Sequence, residues 1–310
     1  MRDFFMFWPS ANGRFNIHFI FILLLSSINA KPMAVNRRKF LQLTFKSAVV
    51  ITAGNTLHSF AAAGFVLPAK DKIRLRFAIA SDGHYGQPKT NYDAMHDEMI
   101  AWLHAEHKDR GIDFTMINGD VYHDNIEMLP LIKKHWDKLA MPYYVSHGNH
   151  DRATETAWEQ TWNMKWHYTF EQRDVAFLVL NTADEKGKYI CPDLAWTKAQ
   201  LEKYQSKKQL FVFMHITPFS WTKNGIPCPE LTEMFSKQAN LKAIFHGHDH
   251  DQDNVKENGG KYYFFDAHIA GNWGTEYRGY RIVEVLKNGE VITYQMNPAI
   301  NQKVNNNNIV

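Results

Sequence analysis

From residue 73 onward the chain alternates between two hydrophobic rhythms. Short runs rich in β-branched and aromatic residues read as strands: "IRLRFAIASD", "DFTMINGD", "MPYYVSHGN", "VAFLVLNT", "QLFVFMH", "LKAIFHGH", "KYYFFDAH", "YRIVEVL" and "VITYQM". Between them lie stretches with helical spacing. In "NYDAMHDEMIAWLHAEHKDRG", Met95, Met99, Trp102 and Leu103 share one face and Gly111 supplies the stop. The alternation predicts an α/β domain over residues 73–297, without internal repeats, followed by an Asn-rich tail at 298–310.

Five of the apolar runs end in Asp, His or Asn just past the strand. Ligands of open α/β sheets bind outside the carboxyl ends of the strands, so endings far apart in sequence can converge on one crevice. In order they are Asp82 and His84, then Asp120, then Asn149 with His150 and Asp151, then His215, then His248 and His250. With His150 and Asp151 set aside, the remaining seven offer two carboxylates, one amide oxygen and four imidazoles. That is too many for one tetrahedral zinc, but it suits two adjacent first-row divalent ions sharing a bridging carboxylate.

The N-terminal 64 residues read differently, as a targeting segment. Arg37 and Arg38 precede Phe40 and Leu41, a moderately apolar stretch follows, and small residues lead to a cleavage position after Ala63. This order predicts a twin-arginine secretory signal, with translation starting at Met33 and the export machinery as a partner. The expected location is periplasmic or extracellular, with an uncleaved anchor as the alternative.

Composition narrows the partners. A net charge of +3, with basic residues spread along the chain, gives no footprint for a nucleic-acid polymer. Two cysteines, Cys191 and Cys228, are too few for a disulfide framework and lack zinc-knuckle spacing, which leaves one bridge or none.

The blocks "SDGHYG", "INGDVYHD", "SHGNHD", "FMHITP" and "FHGHDH", in that order, resemble those of the calcineurin-like metallophosphoesterases over about residues 73–297. The resemblance implies a four-layer αββα sandwich of two mixed sheets with a dinuclear centre at one end. Asp82, His84, Asp120 and His250 would hold the first ion, and Asp120 would bridge to a second completed by Asn149, His215 and His248. Two divalent ions (Mn, Fe, Zn or Co) would share a bridging hydroxide. His150 would face the substrate, oriented by Asp151, and these two are the expected catalytic residues. The implied activity is hydrolysis of a small-molecule phosphoester.

Branch signatures refine this expectation. His123 stands where purple acid phosphatases carry a tyrosine, and the "GDxVDRG" of protein serine/threonine phosphatases is missing. The chain looks most like the small bacterial phosphodiesterases of the cyclic-nucleotide class, which implies a phosphodiesterase. The alternatives are a phosphomonoesterase or nucleotidase on the same centre, and a non-catalytic metal-binding protein. His147 and His246 are expected in the core and His268 outside the site. Tyr85, His123 and Asp124 are open between pocket wall and solvated loop. The aromatic stretch "AWEQTWNMKWHYTF" is expected to pack rather than to bind a nucleobase.

Overall fold

Among the residues described, 47–61 and 65–299 of a computed structural model, thirteen strands form two sheets. The first contains β1 (Ser47–Ile51), β2 (Leu57–Ala61), β3 (Ile73–Ala80), β4 (Phe114–Asn118), β5 (Tyr143–Ser146), β12 (Tyr280–Leu286) and β13 (Val291–Met296), in the order β2-β1-β13-β12-β3-β4-β5. The second contains β6 (Tyr168–Gln172), β7 (Val175–Leu180), β8 (Leu210–Met214), β9 (Leu241–His246), β10 (Val255–Asn258) and β11 (Lys261–Phe265), in the order β10-β11-β9-β8-β7-β6. Both sheets are mixed: β3, β4 and β5 run parallel, as do β7, β8, β9 and β11, while the remaining neighbours pair antiparallel.

The sheets pack face to face through an aromatic core. The Phe77 ring lies parallel to Phe114 at 4.9 Å and meets Phe177, Phe211, Phe213 and Phe245 edge-on. Edge-to-face contacts of this kind add to the burial energy of each ring. Central strands such as β4, β8 and β9 are buried along their whole length, because helices cover their other face. Helices α1 (Tyr92–Arg110), α2 (Leu129–Trp136) and α3 (Glu155–Trp162) contribute to a core on the first sheet, and α4 (Leu194–Lys203) and α5 (Pro229–Lys237) to one on the second. The expected αββα sandwich is therefore the observed one.

Local signals place the helix ends. Thr154 accepts a hydrogen bond from Ala157 N at the start of α3, and Asp193 accepts one from Trp196 N at the start of α4. A disulfide joins Cys191, just before α4, to Cys228, the residue that precedes α5.

One boundary needs correction. The sequence reading assigned residues 47–61 to the targeting segment, but they form the β1–β2 hairpin of the first sheet, with β1 hydrogen-bonded to β13. Ala48, Val49 and Ile51 are fully buried. The turn carries Asn55 at φ 63°, and Lys242 Nζ donates to Ala53 O at 2.8 Å and to Asn55 Oδ1. Tyr262 Oη donates to Asn55 O at 2.8 Å. A β-branched run ended by "TAGNT" is a hairpin signal as much as the fading end of an export signal, which explains the misreading. Arg37, Arg38, Met33 and the cleavage position after Ala63 lie outside the described residues, as does the tail from residue 300.

A chain starting at residue 64 loses this hairpin, bares the edge of β13 and leaves the Lys242 ammonium without its two acceptors. We expect it to be at least ~3 kcal/mol less stable in urea denaturation, the scale of burying a few aliphatic side chains. Equal stability of the two forms would show that the hairpin is dispensable.

Candidate metal centre

Parallel strands bring the polar endings together. β3, β4 and β5 of the first sheet and β8 and β9 of the second finish at the same end of the sandwich, and each hands over to a loop that carries candidate ligands. Hydrogen bonds interlock these loops. His84 N donates to Asp120 O at 2.8 Å, His150 N to Asp120 Oδ1 at 2.8 Å, and His248 N to both Asp82 carboxylate oxygens at 3.0 Å. Asp82, His84, Asp120 and His248 all adopt left-handed backbone, with φ of 58°, 41°, 48° and 67°. Such conformations cost energy and persist where the surroundings over-determine them, most often at functional sites. Close approach also dictates the glycines. A Cβ on Gly148 would fall 2.3 Å from Asp120 Oδ1, and one on Gly247 would fall 1.9 Å from Ser81 Oγ.

Six of the seven predicted ligands meet in two buried groups, and the seventh, Asn149, precedes His150, whose amide bonds Asp120. Asp82, His84 and His250 offer atoms within 4.8 Å of one another, and so do Asp120, His215 and His248. His84 Nε2 lies 3.0 Å from His250 Nε2 and 3.6 Å from Asp120 Oδ2, so the groups adjoin through Asp120. Asn149 Oδ1, His215 Nε2 and His248 Nε2 are buried without a hydrogen-bond partner, although His215 Nε2 lies 3.1 Å from Asp120 Oδ2. Buried polar atoms are rarely left unpaired, so the orphaned Asn149 Oδ1 and His248 Nε2 fit a cation. The other ring nitrogen of His215 lies 2.8 Å from Asn118 O, which leaves Nε2 for the centre.

The electrostatics agree with this assignment. Burial opposes ionisation of Asp82 and Asp120, yet facing imidazoles, His250 and His215 for the first, His215 and His84 for the second, hold both well below the usual carboxylate range. Burial likewise opposes a charge on His215, but Asp120 and Asp82 keep its pKa up at about 10, and Asp82 raises His250 in the same way. Burial drives His84 well down and brings His248 to about 4. Carboxylates and imidazoles thus favour one another's charged forms, and a donor set of this kind suits cations.

Around this cluster the structure revises several expectations. His150 stands at the mouth with its side chain 30% exposed, but its Nδ1 lies 3.0 Å from Asp124 Oδ1. Asp151, expected to orient it, does not: its buried carboxylate accepts Tyr122 N at 3.0 Å and Gly148 N at 2.9 Å. The tight turn through residues 148–151 sends adjacent side chains in different directions, and burial with Asp120 nearby pushes Asp151 up to about 8. His123 belongs to the mouth, stacked on His150 at 4.6 Å with its Nδ1 3.0 Å from His84 Nδ1. Arg152 pairs with Asp124 at 3.0 Å. Tyr85 instead donates to Asp93, away from the ligand atoms.

His147 and His246 are fully buried, as expected, and rest on Asn181 and on Met214 O. His268, expected outside, lies parallel to His250 at 5.1 Å. Sequence reasoning also missed Tyr189, whose ring stands edge-on to His248 at 5.0 Å, and Trp273, which lies flat on His250 at 4.3 Å. Neither sits in a ligand motif. Trp158 and Trp162 pack in the core, as their stretch predicted.

A two-sheet sandwich with paired His/Asp groups at the carboxyl ends of its strands defines an α/β metal-dependent hydrolase. The family model "Calcineurin-like phosphoesterase" matches residues 75–252. The chain belongs to that family and is a hydrolase of phosphoric ester bonds. A dimetal phosphatase from Danio rerio superposes with a TM-score of 0.58 at 10% identity, covering 73% of this chain and 97% of that one. A calcineurin-like phosphoesterase from Bacillus subtilis gives 0.48 at 10% identity, covering 75% and 93%. At 10% identity the likeness to the Danio rerio protein speaks for the fold alone. No curated protein sequence matches the chain.

Asp124 and Asp151 should separate cleanly by mutation. Asp124→Ala is expected to lower kcat about 10- to 100-fold with metal content retained, because it removes the partner of His150 and Arg152 without touching a candidate ligand. Asp151→Ala strands two buried amides at ~1–3 kcal/mol each, so it should act mainly on stability. Urea midpoints, metal analysis and turnover of the two variants make the comparison; reversed effects would restore Asp151 as the orienting group.

Proposed function

We propose that the chain is an exported phosphodiesterase working through two divalent ions. Asp82, His84, Asp120 and His250 would hold one, and Asp120, Asn149, His215 and His248 the other. The observation that carries this reading is the convergence of six of these side chains in two adjoining buried groups, with His248 Nε2 and Asn149 Oδ1 left without a hydrogen-bond partner. When bound, two such ions supply an activated water near neutral pH and neutralise phosphoryl charge.

The remaining work falls to the chain. His150, its Nδ1 engaged by Asp124, has Nε2 left to hydrogen-bond and protonate the departing alcohol oxygen. His123, stacked against its ring, limits the directions it can take. The diester preference rests on the sequence likeness to cyclic-nucleotide-type phosphodiesterases. Trp273 and Tyr189, beside ligands of either group, add apolar surface for a second ester substituent. Export is supported by the Arg37–Arg38 pair and by the Cys191–Cys228 disulfide, a bond that persists in oxidising compartments.

Metal-loaded protein should hydrolyse bis(p-nitrophenyl) phosphate faster than p-nitrophenyl phosphate. A chelator should abolish the activity, Mn²⁺ should restore it, and Asp120→Asn should reduce it at least ~100-fold. Monoester turnover alone would replace the diester reading, and turnover of neither ester would sink the enzymatic one. Replacing Arg37 and Arg38 by lysine is expected to hold the protein in the cytoplasm; fractionation showing undiminished export would exclude the twin-arginine route.

A further inference from the structure

We propose that Trp273 is a stacking platform for the nucleobase of a nucleoside phosphoester, which makes nucleotides the substrate class. The inference rests on the phosphoesterase reading above and deepens it.

The loop that carries Trp273 is fitted tightly around His250. Gly271 and Gly274 bracket the tryptophan at φ 104° and 117°, conformations that other residues rarely adopt. A Cβ on Gly274 would fall 2.4 Å from His250 Cβ. Thr275 N donates to His250 O at 2.8 Å, and His250 Nδ1 lies 3.3 Å from Trp273 O. The result is a short column of near-parallel rings. His268 lies against His250 at 5.1 Å and 9°, and Trp273 follows His250 at 4.3 Å and 3°.

The column begins on a buried histidine and ends on an indole that is 44% exposed. The other described tryptophans all pack in or against the hydrophobic cores, whereas Trp273 belongs to none of them. A single exposed aromatic ring is ordinary on a protein surface. This one differs in its support. The hydrogen-bonding partner of His250 Nδ1 is the Trp273 backbone carbonyl, which any residue would supply, and His268 also lies near-parallel to the imidazole. Holding the ligand therefore does not need an indole.

What the indole adds is a flat apolar face next to the phosphate-binding end of the sandwich. A planar group on that face lies one further stacking distance, ~4.5 Å, beyond the indole, while its phosphoryl group reaches the His250 side. Nucleobases stack on aromatic side chains without regard to base identity. The platform therefore selects for a base without choosing among bases. Tyr189, edge-on to His248, borders the other ligand group.

The test compares ring-bearing with ring-free esters in both ester classes. The substrates are a 2′,3′-cyclic nucleotide against glycerophosphocholine, and AMP against glycerol 3-phosphate. They are assayed with metal-loaded wild type, Trp273→Phe and Trp273→Ala. The expected result is a fall of roughly 5- to 100-fold in the ratio of kcat/KM for the ring-bearing over the ring-free ester in Trp273→Ala. The fall should be carried by KM, and Trp273→Phe should retain most of the preference. An unchanged ratio, or an equal loss on both esters, would overturn the platform and leave Trp273 as a brace for His250. Which ester class is turned over tests the phosphodiesterase reading, and the ratio within that class tests Trp273. If no ester is turned over, titration calorimetry of AMP against inorganic phosphate on the same variants decides, since only AMP binding should weaken in Trp273→Ala.

Discussion

The centre depends on a stitch between two sheets. The Asp82 carboxylate, at the end of a strand in the first sheet, accepts the amide of His248 from the second. Around it Asn118 Nδ2 donates to Phe245 O at 3.1 Å, and His215 Nδ1 lies 2.8 Å from Asn118 O. These bonds join loops that the aromatic core has already brought to one end of the sandwich. Without them the ligand residues could not be held in the left-handed conformations they adopt. The same carboxylate thus serves the fold and belongs to the site.

The stitch places carboxylates and imidazoles where water is scarce. Isolated, either group would be costly to bury. Together the carboxylates are held toward the ionised form and raise the pKa of His215 and His250, while burial lowers those of His84 and His248. A donor set of deprotonated carboxylates and imidazoles is the kind that would hold cations, and its affinity for them would depend on pH.

Outside the ligands, position rather than identity separates function from packing. Trp158 and Trp273 have the same chemistry, yet the first fills the core beneath a helix and the second ends a column of rings that starts behind His250. Asp124 and Asp151 divide in the same way. Both lie close to His150 in the chain or across the loop, but only Asp124 presents its carboxylate to the imidazole.

The convergence of the candidate ligands was legible in the sequence because strand periodicity and a polar terminal residue are local properties, and five such endings in order define a shared crevice. The α/β class followed from the same alternation. The hairpin at residues 47–61 was not legible, since an apolar run before a Gly-Asn turn suits a signal or a strand equally until β13 offers its edge. Nor could the partner of His150 be read, because neighbours in sequence point apart in a tight turn while Asp124 arrives from another loop. Residue types and their local order thus determined the chemistry on offer. Tertiary structure decided which side chains face one another, because hydrogen bonds and ring stacking act over a few ångströms of space, whatever the distance along the chain.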